Sequence, residues 1–220
     1  MRRVVVFDLD DTLFPERQYV LSGFRAVDAW LEEAKGMSGF YERAKALFEA
    51  GYRGNIFDLA LAESECSGDK ALIRELVRVY REHPPRLNLY EDARWAIDVF
   101  RAHGPLGLIS DGHLVAQQNK LAALNIGEAF QAVVFSDAFG RDSWKPSPRP
   151  YQRIMELIPG APSDFVYIAD NPSKDFITAR RLGWGTIQIA RREGVHEGVE
   201  GAPEYRADAV ITSLFALQEM

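Results

Sequence analysis

Short runs of consecutive apolar, largely β-branched residues recur along this chain, and they limit its possible folds more than any other feature. They lie at Arg3–Phe7, Leu106–Ile109, Ala132–Phe135, Phe165–Ala169, Thr186–Ile189 and Ala209–Ile211. A strand with one face in water alternates apolar and polar residues, whereas an uninterrupted apolar run needs cover on both faces, as parallel strands between helices have. Helical periodicity fills the later intervals. Ala93, Ala96, Ile97 and Phe100 form one stripe over Asp92–Ala102, and Leu114, Gln117, Leu121 and Leu124 form another over Leu114–Leu124. A third helix opens at Pro148 or Pro150, where a first-turn proline is tolerated, and runs to Leu157. A fourth, Asp175–Leu182, stops at Gly183. Strand alternating with helix predicts an α/β fold built on a doubly wound, Rossmann-like parallel sheet.

The interval between the first run and Leu87 breaks this rhythm. It holds no convincing strand, and its apolar spacing predicts helices near Arg17–Ala34, Gly39–Ala50, Ile56–Cys66 and Lys70–Arg81, punctuated by Gly36, Gly51, Gly54, Gly68, Pro84 and Pro85. Compact domains seldom contain long structureless connections, so residues 15–87 are expected to form a small α-helical cap over the carboxyl edge of the sheet. Residues 1–14 and 88–220 then form the α/β core domain. The Gly-rich, charged stretch Arg191–Arg206 reads as a surface loop before the last strand.

Composition removes several classes of function. With 26 Lys+Arg against 32 Asp+Glu the net charge is −6, and no block of like charge marks a surface for nucleic acid or anionic membrane. No apolar run approaches the ~20 residues that span a bilayer, so neither signal peptide nor anchor is expected. The single Cys66 cannot form an intrachain disulfide and favours a reducing, cytoplasmic setting. His83, His103, His113 and His196 lack the spacing of a zinc site.

Ligands of open parallel sheets bind beyond the carboxyl ends of the strands. There the sequence places Asp8, Asp10 and Asp11 after the first run, Ser110, Asp111 and Gly112 after the second, and Asp170, Asn171 and Asp175 after the fourth. Lys145 follows the third, within Trp144-Lys145-Pro146. Clustered carboxylates repel one another unless a cation neutralises them, and hard oxygen ligands suit Mg²⁺.

Four segments, in order, carry a resemblance to a known family. Val4-Val5-Val6-Phe7-Asp8-Leu9-Asp10-Asp11-Thr12-Leu13 resembles the first motif of the haloacid dehalogenase-like hydrolase superfamily. Leu108-Ile109-Ser110, Lys145-Pro146 and Val166-Tyr167-Ile168-Ala169-Asp170-Asn171-Pro172-Ser173-Lys174-Asp175 resemble the other three. Ser110-Asp111-Gly112 with Gln117, Lys120 and Leu121 also looks like the loop and helix common in the superfamily's phosphatases. The chain departs from the commonest pattern at Ala169, where many relatives have glycine.

The resemblance implies a Mg²⁺-dependent phosphomonoesterase acting through an aspartyl-phosphate on a small phosphorylated metabolite, such as a sugar phosphate or nucleoside monophosphate. Asp8 would be the nucleophile and Asp10 the general acid and base, with Lys145 neutralising charge. Asp8, Asp170 and the Asp10 carbonyl would hold the metal, and Asp175 would support that metal and its waters from outside the ligand set. Ser110, Asp111, Gly112 and Thr12 would bind substrate, while Asp11 has no catalytic role. No nucleic-acid or membrane partner is expected, and the protein would be a monomer or homodimer. A phosphomutase and a catalytically idle binding module stay open as alternatives. Asp10 argues against a dehalogenase, which needs no leaving-group proton, and no motif commends Lys35, Lys45 or Lys70 for a phosphonate hydrolase.

Overall fold

The structure, a computed structural model, describes residues 3–219; residues 1, 2 and 220, the outermost positions of the expected core domain, lie outside the described residues. The chain divides into two compact units, Met1–Glu16 with Leu87–Met220, and Arg17–Arg86.

The first unit is built on six parallel strands: β1 (Val4–Phe7), β2 (Leu106–Ser110), β3 (Ala132–Phe135), β4 (Phe165–Ala169), β5 (Gly185–Ile189) and β6 (Ala209–Ile211). Their order across the sheet is β3-β2-β1-β4-β5-β6. Every residue of β1 is buried, as a central strand covered on both faces requires. Its register pairs Val5 with Leu106 on one side and with Val166 on the other. From β1 the chain builds outward through β2 and β3, then returns to β1's other edge at β4. That reversal leaves a crevice beyond the carboxyl ends of β1, β2 and β4.

Flanking helices bury the sheet. α5 (Glu91–His103) has Glu91 and Asp92 in its first turn and Arg101 and His103 in its last, complementing the helix dipole. α6 (Leu114–Leu124) ends on Asn125 at φ +52°. α7 (Arg149–Leu157) carries Pro150 in its first turn, and α8 (Phe176–Arg181) is closed by Gly183 at φ +84°, whose N–H donates to the Arg180 carbonyl at 2.9 Å. One core layer joins Val4, Val6, Tyr151, Ile154, Phe165, Tyr167 and Trp184. Trp184 stacks on Phe165 with ring centroids 4.7 Å apart and meets the Tyr151 edge at 5.6 Å.

The second unit is helical: α1 (Glu16–Lys35), α2 (Phe40–Glu49), α3 (Ile56–Ala60) and α4 (Lys70–Glu82). Val20, Phe24, Val27 and Leu31 line one stripe of α1 and pack with Phe40, Phe48, Leu72 and Leu76. α3 is shorter than the expected Ile56–Cys66. Beyond Leu61 the Ser64 hydroxyl donates to the Leu61 carbonyl and accepts the Cys66 N–H, offering the backbone a turn in place of further helix.

The stretch expected to be a surface loop is also anchored at its start. Arg191 is buried, pairs with Asp92 at 2.6 Å, donates to the Thr12 carbonyl at 2.8 Å and lies 4.0 Å from the Tyr90 ring centroid. Asp92 further accepts from the Ser213 hydroxyl and the Leu214 N–H, both at 2.8 Å, so one buried carboxylate ties α5 to two later segments. Composition alone suggested solvent; a paired charge and a ring face make burial of this arginine possible.

The indole N–H of Trp184 is buried without a hydrogen-bond partner, so its stability contribution is apolar. Trp184→Ala is expected to cost ~3–5 kcal/mol. Trp184→Phe should cost much less, because it keeps most of the stack and removes an unsatisfied donor. Shifts in the urea midpoint at constant m-value measure both.

Candidate active site

The carboxyl ends of β1, β2 and β4 bring most of the expected residues together within the first unit. The Lys145 ammonium, fully buried, lies 2.5 Å from Asp8 Oδ1 and 2.8 Å from Asp175 Oδ1, and donates to the Tyr167 hydroxyl at 2.9 Å. Asp175 is held in turn: its Oδ2 accepts the Asn171 N–H at 3.0 Å and its carbonyl accepts the Tyr151 hydroxyl at 2.7 Å. Asp111 accepts from the Lys145 backbone N–H at 3.1 Å, the Ser136 hydroxyl at 2.6 Å and the Lys174 ammonium at 2.8 Å. Its carboxylate therefore fastens the loop after β3 to the end of β2.

Asp11 shapes the loop after β1. Asp11 takes φ +48° and is buried; its two oxygens accept the N–H groups of Glu16 at 2.8 Å and Val195 at 2.7 Å. Asp10 is gripped from α6, where Lys120 donates to Oδ1 at 2.6 Å and Gln117 to Oδ2 at 2.8 Å; Gln117 also donates to the Ser110 hydroxyl. Gly112 sits at φ +127°, and a Cβ there would stand 3.0–3.2 Å from the Gln117 side chain. Thr12 is not brought into this set. Its side chain is fully buried with the hydroxyl unpartnered, and its carbonyl is engaged by Arg191.

Sequence reasoning assigned no role to several supporting residues. Asp137, just past β3, accepts the first N–H of α6 and the Trp144 indole N–H, each at 3.0 Å. Trp144 meets the His113 ring edge-on at 6.0 Å. Tyr151, Tyr167 and Lys174 are likewise part of the network. Only the lysine had a local signal, as a cation between two strand-end acids. The tyrosines look like ordinary core residues in sequence.

Burial sets the electrostatics. Asp8 is pushed up from 3.8 to about 7 by loss of water, and the nearby Lys145 offsets this only in part. Asp170 is held well above its ordinary value by burial and by the charges of Asp8 and Asp175. Asp111 stays below the usual range, because Lys145 and Lys174 outweigh its burial. Burial would lower Lys145, but Asp175 and Asp8 keep its ammonium well above normal.

The donor set fits a divalent cation. Asp8 and Asp170 are buried carboxylates, and the charge of Asp8 raises the proton affinity of Asp170, a cost that a hard cation removes. Among the described residues no three His, Cys, Asp or Glu side chains form a ready metal cage. Mg²⁺ does not demand one, since it is commonly held by one or two carboxylates with waters and substrate phosphate completing the octahedron.

A raised Asp8 means that the native state binds this proton more tightly than the unfolded chain, so ionising Asp8 costs stability as pH climbs from 3.8 through about 7. Asp8→Asn escapes that cost. In chelator, its melting temperature relative to the parent is expected to rise between about pH 4 and pH 7 and level off above. A difference that does not change with pH would mean that Asp8 titrates normally.

The chain is similar to known proteins in sequence and in fold. A family model described as haloacid dehalogenase-like hydrolase matches residues 2–183. The chain is 27% identical to the glyceraldehyde 3-phosphate phosphatase of Methanopyrus kandleri, over all of this chain and 99% of that protein. It is 26% identical to the phosphoserine phosphatase of Thermus thermophilus, over 93% of this chain and 94% of the other. Among solved structures it resembles the magnesium-bound putative HAD-hydrolase YfnB of Bacillus subtilis, with a TM-score of 0.73 and 19% identity over 99% of this chain and 97% of that one. A 2-haloacid dehalogenase of Pseudomonas syringae pv. Tomato follows the same fold, with a TM-score of 0.68 and 22% identity over 100% of this chain and 97% of that one.

Proposed function

The chain belongs to the haloacid dehalogenase-like hydrolases, and from that premise we propose that it hydrolyses phosphate monoesters of small metabolites through an aspartyl-phosphate formed on Asp8. The observation that carries this reading is the pairing of two differently held acids at one strand end. Asp8 is buried against Lys145, and Asp10 stands two residues on in a hydrogen-bonded, more exposed setting. A dehalogenase has no use for the second acid, because halide leaves without a proton.

Asp8 attacks phosphorus in line, and the ester P–O bond breaks as Asp10 protonates the departing alcohol oxygen. Water then attacks the aspartyl-phosphate; Asp10 takes its proton, and phosphate leaves Asp8. Lys145 neutralises charge on Asp8 and the transferring group. Ser110 and the backbone N–H groups of Asp111 and Gly112 hold phosphate oxygens. Asp8, Asp170 and the Asp10 carbonyl would bind Mg²⁺, which supplies the positive charge that lets an anionic nucleophile meet an anionic phosphate. Asp175 orients Lys145 and would support this cation's waters.

The relatives' names favour compact substrates of the triose-phosphate and phosphoserine kind over larger ones. The helical unit, Arg17–Arg86, is read as the cap domain that sets specificity. The enzyme is taken to work in the cytoplasm; no helix of the described residues is long and apolar enough to cross a membrane.

The test is phosphate release from p-nitrophenyl phosphate and from a metabolite panel including glyceraldehyde 3-phosphate, phosphoserine, sugar phosphates and nucleoside monophosphates. Activity is expected only with Mg²⁺, and Asp8→Asn should lower kcat by ~10³-fold or more while the chain stays folded. Turnover that survives excess chelator or the Asp8→Asn change would defeat the mechanism. Isomerisation of a sugar phosphate without phosphate release would mark a mutase, and tight binding without turnover a binding module.

A further inference from the structure

Helix α6 presents two buried polar side chains that the reaction above does not use. Gln117 and Lys120 lie one turn apart and are 1% and 4% exposed. Between them they engage both oxygens of a single carboxylate, with Lys120 on Oδ1 and Gln117 on Oδ2 of Asp10. Two donors on opposite oxygens fix the plane of a carboxyl group, which a single ion pair does not. The grip is itself supported. Gln117 is braced on the Ser110 hydroxyl, Gly112 leaves room for its amide, and the Lys120 ammonium lies 5.9 Å from the Phe14 ring centroid. Asp10 is the more open partner, with 20% of its side chain exposed against 5% for Lys120. An acid held by two buried donors and itself partly open to solvent is arranged to act on something that arrives from solvent. Burying a lysine to reach it is costly unless the pairing serves a purpose.

Building on the phosphomonoesterase reading, we propose that Gln117 and Lys120 are positioning residues for Asp10, holding its carboxyl group in the orientation from which it protonates the leaving oxygen. In the first step Asp8 bonds to phosphorus, the ester P–O bond breaks with its electron pair staying on oxygen, and that oxygen takes the Asp10 proton. Negative charge appears on Asp10 beside the two donors, so their hydrogen bonds strengthen as the transition state forms. In the second step Asp10 recovers a proton from the attacking water and the starting state returns. The contribution depends on the leaving group. An alkoxide needs its proton during P–O cleavage, whereas a nitrophenolate departs without one.

The experiment compares kcat of the Mg²⁺-loaded enzyme on p-nitrophenyl phosphate and on the best aliphatic phosphate monoester of the panel. Lys120→Met and Gln117→Met are made separately, because the buried lysine is the harder of the two to replace, and their folding is checked by thermal melting. Each is expected to lower kcat on the aliphatic ester at least ~10-fold more than on the aryl ester, with KM changed little. In an Asp10→Asn background, neither substitution should add to the discrimination. Equal losses on both substrates, or the same discrimination with Asp10 already removed, would overturn the positioning role while leaving the phosphatase reading intact. Absence of phosphate release by the parent protein from every substrate would overturn both.

Discussion

The site depends on one buried ammonium. Lys145 reaches both Asp8 and Asp175 while its side chain is entirely out of water. Neither acid could be buried as an anion without it, and the lysine could not be buried without them. Carboxylates still outnumber ammonium groups among the described residues around it: Asp8, Asp111, Asp170 and Asp175 lie near Lys145 and Lys174, and Asp10 near Lys120. Burial, with the neighbouring like charges added to it, raises the proton affinity of Asp8 and Asp170. In the reaction we propose, a carboxylate half-neutralised by lysine and otherwise short of positive charge is matched to a cation and a phosphate arriving together.

Rigidity around that centre comes from side chains paired within the protein. Asp11 pins the turn after β1 to the segment around Val195, while Arg191 holds the same turn through the Thr12 carbonyl and is anchored by Asp92. Asp111 fastens the lysine-bearing loop to β2, and Asp137 caps α6, the helix that reaches Asp10. Each acidic side chain close to the reacting positions thus has a distinct task set by what it touches. This is why Asp8, Asp10 and Asp11, neighbours in sequence, behave differently: one is buried against lysine, one is gripped from α6, and one is spent on backbone N–H groups.

Much of this was legible in the sequence because it is local. Uninterrupted apolar runs mark covered parallel strands, and the residues just after them must lie at the sheet's carboxyl edge, so Asp8, Ser110 and Asp170 could be grouped before any coordinates. Gly183 as a helix end and Pro150 as a helix start are equally local, each following from one residue's backbone preference. Where local signals were balanced against side-chain competition, the reading went astray, as at Ser64, whose hydroxyl ends α3 early. Composition misled at Arg191, since a charged residue in a Gly-rich stretch looks solvated until a partner ninety-nine positions away buries it.

The sequence by itself determined which elements form and which acids stand at their ends, because hydrophobic periodicity and strand direction need no long-range information. Only the tertiary structure decided which charges meet. Lys145 and Asp8 are separated by 137 positions and Lys120 and Asp10 by 110, and nothing in their spacing announces either pair. Packing brings them together and removes the water between them; in that low-dielectric setting Lys145 and Asp8 acquire shifted proton affinities, and the Asp10 carboxyl group acquires a fixed orientation.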